Sequence, residues 1–360
     1  MLKKMTVLLL ICAIIVGMTA CSSGREGNGT MPEDDTQNGN VQADDVANAP
    51  SVTLRLSYLP ESGTAEDLAA QEFKKYVEEA SGGSITVNLF PGGQLGTETQ
   101  MGEQCQMGTT EMIAVGEIVA VNACPEYATI MRVPYMFDSY DHLDTYLQSE
   151  MGDTGKTIMD FCLERSNMRV LGYYDRGSRQ LTSKTPVRSV EDLENLSLRV
   201  PDVAVQVAAW KLTGAVPTAI NASELYLSLS QGLVTAQENP VDFIRGYSLN
   251  EVQSYIMETN HNYGMRWIFI NGDVYDGLTD TQKAIVDEGA ELYVQTANDL
   301  IHQGEEESWQ WLADNGMTVI PNEEIDVASI KESILAGIDT LSDGWDPCCL
   351  EICEATRTAG

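Results

Sequence analysis

The longest uninterrupted pattern in the chain runs from Thr279 to about residue 315. Thr279-Asp280-Thr281-Gln282 has capping-box spacing, in which the N-cap side chain and the residue three positions on satisfy each other's backbone donors. Helix-favouring residues then continue without a proline. At about 1.5 Å per residue such a helix is on the order of 50 Å long. One lobe does not require a rod of that length, so it is expected to serve two lobes as a shared brace. Trp309, Trp311 and Leu312 near its end are expected to pack, as aromatic residues at helical spacing usually do.

The remaining sequence supplies what the rod would brace. Residues 52–58 alternate as a strand, and 65–80 read as a helix that Thr64 can cap and Gly82-Gly83 stops. Ile85, Val87 and Leu89 alternate again, a glycine-rich turn follows Pro91, a helix is expected near 98–107, and 112–115 are apolar. Strand and helix in turn give an α/β lobe. A second such rhythm places strands at 170–174 and 198–200, a helix at 203–212, a helix at 223–229 and a short strand at 234–236. Residues 264–271 then read as a strand returning to the first lobe. Roughly 310 residues beyond the linker suit two lobes of about 150 each.

The first residues point to the compartment. Lys3 and Lys4 precede an apolar run over 7–16, and small residues lead to Cys21. The run is short of the ~20 residues that a membrane span needs, so residues 1–20 read as a lipoprotein signal peptide and Cys21 as the lipidated first residue of the mature chain. An uncleaved anchor helix is the alternative. Residues 21–50 lack aromatic side chains and are rich in Gly, Asn, Asp and Ala, the composition of a flexible acidic tether. Losing Lys3 and Lys4 with no acid takes the net charge from −33 to −35, which argues against nucleic acid or anionic lipid as a partner. The expected location is the outer face of the cytoplasmic membrane, held by the lipid.

Catalytic signatures are missing. There is no Gly-x-Ser-x-Gly elbow, no His-Glu-x-x-His pair and no phosphate-cradling Gly-x-x-x-x-Gly-Lys. Six further cysteines, Cys105, Cys124, Cys162, Cys348, Cys349 and Cys353, match no zinc spacing, and His142, His261 and His302 are the only histidines. Disulfides are permitted outside the cell, with no readable connectivity. No catalytic residue, metal or cofactor is expected.

Three segments instead end or follow apolar strands, where open α/β sheets present ligand-binding groups: 176–180, 196–201 and 237–240. Arg199 lies between Leu198 and Val200 and before Pro201, so in a strand it points away from its two neighbours. Its guanidinium is a planar, permanently charged fork that matches a carboxylate. Composition alone leaves it open to a surface ion pair, and Asn239 to a turn before proline.

The wording of these segments carries further. Phe90-Pro91-Gly92-Gly93-Gln94-Leu95-Gly96, Arg132-Val133-Pro134-Tyr135-Met136-Phe137, Gly177-Ser178-Arg179-Gln180, Leu198-Arg199-Val200-Pro201, Gly214-Ala215-Val216-Pro217-Thr218, Ser223-Glu224-Leu225-Tyr226 and Gln237-Glu238-Asn239-Pro240 follow one another in order. Over 52–320 the chain resembles the solute-binding proteins of TRAP transporters, the tripartite ATP-independent periplasmic systems, of the dicarboxylate-receptor type. The resemblance implies a two-lobed, periplasmic-binding-protein-like α/β fold with a long helix bridging both lobes. It implies that Arg199 pairs bidentately with a ligand carboxylate, that Arg179 makes a second contact to it, and that Asn239 makes a polar contact nearby. Arg176, Glu117 and Trp267 are further ligand-binding candidates. The expected ligand is a C4-dicarboxylate or a sugar acid such as a hexuronate, delivered by a monomeric, non-enzymatic receptor to integral membrane permease subunits. Expected boundaries are 51–176 plus 265–304 for lobe I, 177–264 plus 305–346 for lobe II, and 347–360 for a C-terminal tail. A cell-surface lipoprotein hydrolase and a structural or adhesive lipoprotein are the alternatives. Asn195 replaces a glycine common before the Arg199 strand, and asparagine tolerates the left-handed turn needed there. Positions around Leu59, Glu117 and Ala222 differ from the pattern of sialic-acid receptors, which points away from that ligand.

Overall fold

A computed structural model describes residues 49–357; the expected signal peptide, Cys21 and all but the end of the expected tether lie outside them. The elements that build the site are β1 (Val52–Tyr58), α1 (Ala65–Ala80), β2 (Ile85–Phe90), α2 (Glu98–Gln106), β3 (Met112–Gly116), α3 (Tyr140–Gln148), β4 (Met168–Ser183) and β5 (Ser197–Val200). They continue with α4 (Ala204–Leu212), β6 (Val216–Ala219), β7 (Ala236–Pro240), β8 (Tyr255–Asn271), α5 (Asp280–Asp314), β9 (Thr318–Ile320) and α6 (Cys348–Arg357).

The helices start where their sequence says they should. The Thr64 hydroxyl accepts from the Asp67 amide, and α1 then turns Ala69, Ala70, Phe73 and Val77 toward the sheet. In α5 the capping box closes in both directions, Gln282 N to Thr279 Oγ1 and Thr279 N to Gln282 Oε1, each at 3.2 Å. Ile285, Val286, Tyr293, Ala297 and Ile301 of α5 share a core with α1, whereas Leu312 packs with Ile244, Leu249 and Ile256. Trp309 and Trp311 are partly buried against that second core. One helix therefore reaches two separate cores.

The strands form one sheet in the order β2-β1-β3-β8-β4-β7-β5-β6, with β9 beside β8. Parallel pairing joins β1 to β2 and β3, and β5 to β6 and β7. Antiparallel β4 and β8 link the two parallel groups. This is an α/β fold of two lobes. Asn195 stands at φ +61°, so the turn before β5 keeps its left-handed residue.

Three sequence expectations change. β4 and β8 are 16 and 17 residues long, far beyond the apolar stretches at 170–174 and 264–271. The short strand expected at 234–236 lies at 236–240 and is buried throughout. The segment after 347, read as a tail, contains α6, which buries Cys349 and Cys353 and whose Cys353 carbonyl lies 2.8 Å from His142 Nε2 of α3. The six described cysteines are free thiols. Among the described residues no group of three or more His, Cys, Asp or Glu could hold a metal ion, and no helix is long and apolar enough to cross a membrane.

Candidate functional site

The long strands change partners halfway. Residues 168–175 of β4 pair with 265–271 of β8, whose second half also pairs with β3; residues 178–183 pair with 255–263, on the side of β7 and β9. Between these stretches the register breaks, and Arg176, Gly177 and Gly264 stand at that break; it shifts again between Val170 and Gly172 and between Arg179 and Leu181. Gly177 holds φ +82°, a left-handed conformation that costs glycine nothing. Gly264 is needed for space: a Cβ there would lie 2.8 Å from Glu117 Oε1.

Five arginines gather around this level, and their partners differ. Arg132 is 4% exposed; its Nη1 donates to Glu117 at 2.6 Å and its Nη2 to Gln206 Oε1 at 2.9 Å. Glu117 also accepts the Met265 amide at 2.5 Å. Arg179 grips Glu238 through Nε and through Nη2, the latter 2.9 Å from Oε1, and Nη2 also reaches Asn239 Oδ1 at 3.0 Å. Arg266 donates to Glu98 at 3.1 Å and lies 3.5 Å from Glu66.

Arg199 and Arg176 hold no carboxylate among the described residues. The Arg199 side chain, on β5 between buried Leu198 and Val200, donates only from Nε to the Ile220 carbonyl at 2.8 Å. The Arg176 side chain makes no hydrogen bond or ion pair among the described residues. Burial and neighbouring positive charges bring each of these guanidiniums down to about 10. Arg176 nevertheless keeps part of its surface accessible. A charged group that is desolvated yet accessible faces an internal space rather than bulk water. Tyr247, whose phenol feels the charges of Arg266, Glu61, Arg176 and Glu98, belongs to the same surroundings.

Around Arg179 the charge is locked. Burial would raise the Glu238 carboxyl, but the Arg179 charge and the bonds from His261 and Arg179 outweigh it and hold Glu238 well below the usual carboxylate range. Burial lowers His261, so it is neutral near pH 7. Its Nε2 lies 3.1 Å from Glu238 and its Nδ1 2.8 Å from Thr259 Oγ1, which puts the proton on Nε2. Asn239 donates to Gln237 at 2.6 Å, and Gln237 to Thr182 at 2.8 Å. Gln206 Nε2, Trp210 Nε1 and the Tyr135 hydroxyl are buried near this cluster without hydrogen-bond partners among the described residues; the Trp210 and Tyr135 rings lie 5.1 and 6.2 Å from His261.

Of the six residues singled out in the sequence, Arg199, Arg179 and Asn239 come together through β5, β4 and β7. Arg176 and Glu117 meet at the register break, where both border Gly264. Trp267 is fully buried in the core, stacked on Phe269 and tilted against Tyr173. Glu238, His261, Arg132 and Gln206 were not singled out. Glu238 sits in a segment that reads as a loop until its burial beside Arg179 is seen, and nothing in the sequence marks Gln206 on α4.

Two sheet halves joined by β4, β8 and α5, with desolvated arginines where the halves meet, define a two-lobed solute-binding receptor. Residues 56–340 match the bacterial extracellular solute-binding proteins of family 7. The chain belongs to that family, the extracytoplasmic solute receptors of TRAP transporters. A solute-binding protein of Roseobacter denitrificans is 31% identical over 300 residues, 82% of this chain and 90% of the relative. The sialic acid-binding periplasmic protein SiaP of Vibrio cholerae is 29% identical over 269 residues, 75% of this chain and 83% of its own. The crystal structure of a TRAP periplasmic solute-binding protein from Roseobacter denitrificans with bound L-galactonate superposes with a TM-score of 0.76 at 29% identity, covering 85% of this chain and 99% of that one.

Proposed function

We propose that this protein is a lipid-anchored, monomeric receptor that encloses a small organic acid between its lobes and presents it to TRAP permease subunits. Supporting the anchor is the signal-peptide pattern ending at Cys21. The proposed lobes are 51–176 plus 265–304 and 177–264 plus 305–346, which meet at the register break of β4 and β8. The ligand class is a small carboxylate, a sugar acid above all; the Roseobacter relative bound to L-galactonate supports this choice.

One observation carries the reading: the Arg199 fork is 3% exposed, charged and without a carboxylate of its own. An enclosed anion would complete it, and weak screening would make that pair stronger than an exposed one. Arg179, fixed by Glu238 and touching Asn239, offers its remaining Nη1 to the same carboxylate, and Asn239 a polar contact beside it. Arg176 and Glu117 are proposed to border the ligand further out, whereas Trp267, also singled out in the sequence, packs in the core behind them. Because the acid binds the closed form better, binding shifts the population toward the form the permease recognises.

Thermal-shift screening of the chain from residue 51 onward against organic acids tests this. One acid should stabilise the protein strongly and be recovered unchanged, and Arg199→Ala should abolish the effect. A library-wide lack of response, or turnover of the acid, would count against the receptor.

A further inference from the structure

Away from the arginines, thiols meet thiols in two places. Cys124 and Cys162 share a hydrogen bond, and so do the adjacent Cys348 and Cys349. Closing the second pair would distort α6, because neighbouring Cα atoms lie about 3.8 Å apart whereas a disulfide usually spans roughly 4.4–6.8 Å. The first pair comes from separate elements. Cys124 stands between the helices Ile118–Ala123 and Pro125–Ala128, and Cys162 lies in the helix Ile158–Ser166. Both side chains are completely buried in one core.

Contacts on either side hold the two segments against each other. Tyr127 stacks on Phe161 with ring centroids 4.6 Å apart, the Arg165 guanidinium lies 4.4 Å from the centroid of the Phe161 ring, and Arg165 bonds to Glu126. The Cys124 thiol donates to the Ala120 carbonyl at 3.3 Å, which leaves its sulfur to accept from Cys162. Sulfurs already in contact need only draw together to about 2 Å to bond. We infer that Cys124 and Cys162 are joined by a disulfide in the exported protein, formed during folding by exchange with an oxidised disulfide carrier outside the cytoplasm. One cysteine thiolate attacks a sulfur of the carrier, breaking the carrier's S–S bond and releasing one carrier thiolate. The second cysteine thiolate displaces the carrier from the mixed disulfide. The carrier departs as a dithiol with the two electrons and two protons that the cysteines lose. Timing follows from burial: in the folded chain the bond to Cys124, and then desolvation, hold the Cys162 thiol far above its usual range, so no thiolate is offered to an oxidant. Closure therefore precedes burial. The bond ties the segment carrying Glu117 and Arg132 to the helix that leads into β4. By constraining a loop of about 40 residues in the unfolded chain, it should raise the melting temperature by roughly 5–10 °C.

The test maps thiols in full-length protein exported by a bacterial host. The protein is denatured without reductant in iodoacetamide, digested and read by mass spectrometry. Peptides carrying Cys124 and Cys162 should emerge linked, and those carrying Cys105, Cys348, Cys349 and Cys353 alkylated. The same chain made without residues 1–20 in a reducing cytoplasm should carry both thiols. It should keep them when glutathione disulfide is added to the folded protein, and form the link when refolded from urea in glutathione disulfide. Exported protein should melt about 5–10 °C above the same protein refolded with a phosphine reductant, whereas Cys124→Ala/Cys162→Ala should be indifferent to reductant. Alkylated Cys124 and Cys162 in the exported protein, or a link from either to another cysteine, overturns the inference. Ready oxidation of the folded chain overturns the order of events, and equal melting with and without reductant overturns the stabilising role. None of these readouts involves a bound solute, so the receptor reading stands or falls separately.

Discussion

Replacing Arg199 with methionine should make the ligand-free protein more stable and the receptor useless. The guanidinium falls well below its ordinary value, to about 10, because burial, and the charges of Arg179, Arg176 and Arg132, disfavour its charged form beyond what Glu238 restores. That drop corresponds to about 3 kcal/mol of cost on the folded state, at 1.36 kcal/mol per tenfold in acidity. The sign follows from the folded value lying below the unfolded one. At pH 7 the group is charged in both states, so folding bears the whole cost, and relief begins only as pH rises through about 10. Methionine fills similar space but loses the Nε bond to Ile220, worth about 1 kcal/mol. A net gain of about 2 kcal/mol remains, or roughly 3–6 °C in melting temperature for a chain of this size. Binding should move the other way. Two charge-assisted bonds at about 1.5–3 kcal/mol each amount to a loss of roughly 10²- to 10⁴-fold in affinity. Differential scanning calorimetry on protein stripped of solute, with titration calorimetry on the same batches, reads both numbers. A variant that melts lower than the wild type and binds as tightly would refute the assignment of an unpaired buried charge at this position.

Other consequences are checked by simpler measurements. Glu238→Gln removes the carboxylate that holds Arg179 and His261, and should cost about 3–5 kcal/mol in urea unfolding, as breaking a buried pair does. Because the Glu238 carboxyl is held below its unfolded value of about 4.3, its contribution is complete above that pH and shrinks as pH falls further. The wild type should therefore lose more stability than Glu238→Gln between pH 6 and pH 3, and equal losses would count against the pairing. Gly264→Ala forces a methyl group to 2.8 Å from Glu117 Oε1 and should destabilise by about 1–3 kcal/mol, with weakened solute binding as Glu117 shifts. Trp267→Phe leaves Tyr173 and Phe269 underpacked and should lower stability by about 1–3 kcal/mol while changing affinity less than Arg199→Ala does.

What the sequence disclosed depended on where apolar periodicity and polar function coincide. α1 and α5 were legible because Thr64 and the Thr279–Gln282 box are local signals that need no tertiary partner. The far halves of β4 and β8 were not. Their polar residues, Arg179, Gln180, Thr182, His261 and Asn262 among them, are buried because they bond to one another, to adjacent strands or to the connecting segments at Met131 and Gln253, and alternation of apolar and polar residues cannot report such burial. β7 was misplaced for the same reason, since Gln237-Glu238-Asn239 looks like a loop until Arg179 and Thr182 are set opposite it. Arg199 stood out because apolar neighbours flank it. That Arg179 is already bound to Glu238, whereas Arg199 is not bound to any acid, depends on which strands lie side by side, and no reading of a single segment contains that information.

The register break also sets how the two lobes can move. The β4–β8 register shifts at three places, and at the one between Asp175 and Ser178 a glycine stands on each strand, Gly177 and Gly264, so there the backbone can twist with few paired bonds to surrender. Two adjacent cords slackened together at Gly177 and Gly264 offer a place to flex, and α5, fastened to a separate core near each end, opposes sliding of one lobe over the other. Opening and shutting should thus resemble a book on its spine, with Arg176 seated in the gutter between the pages.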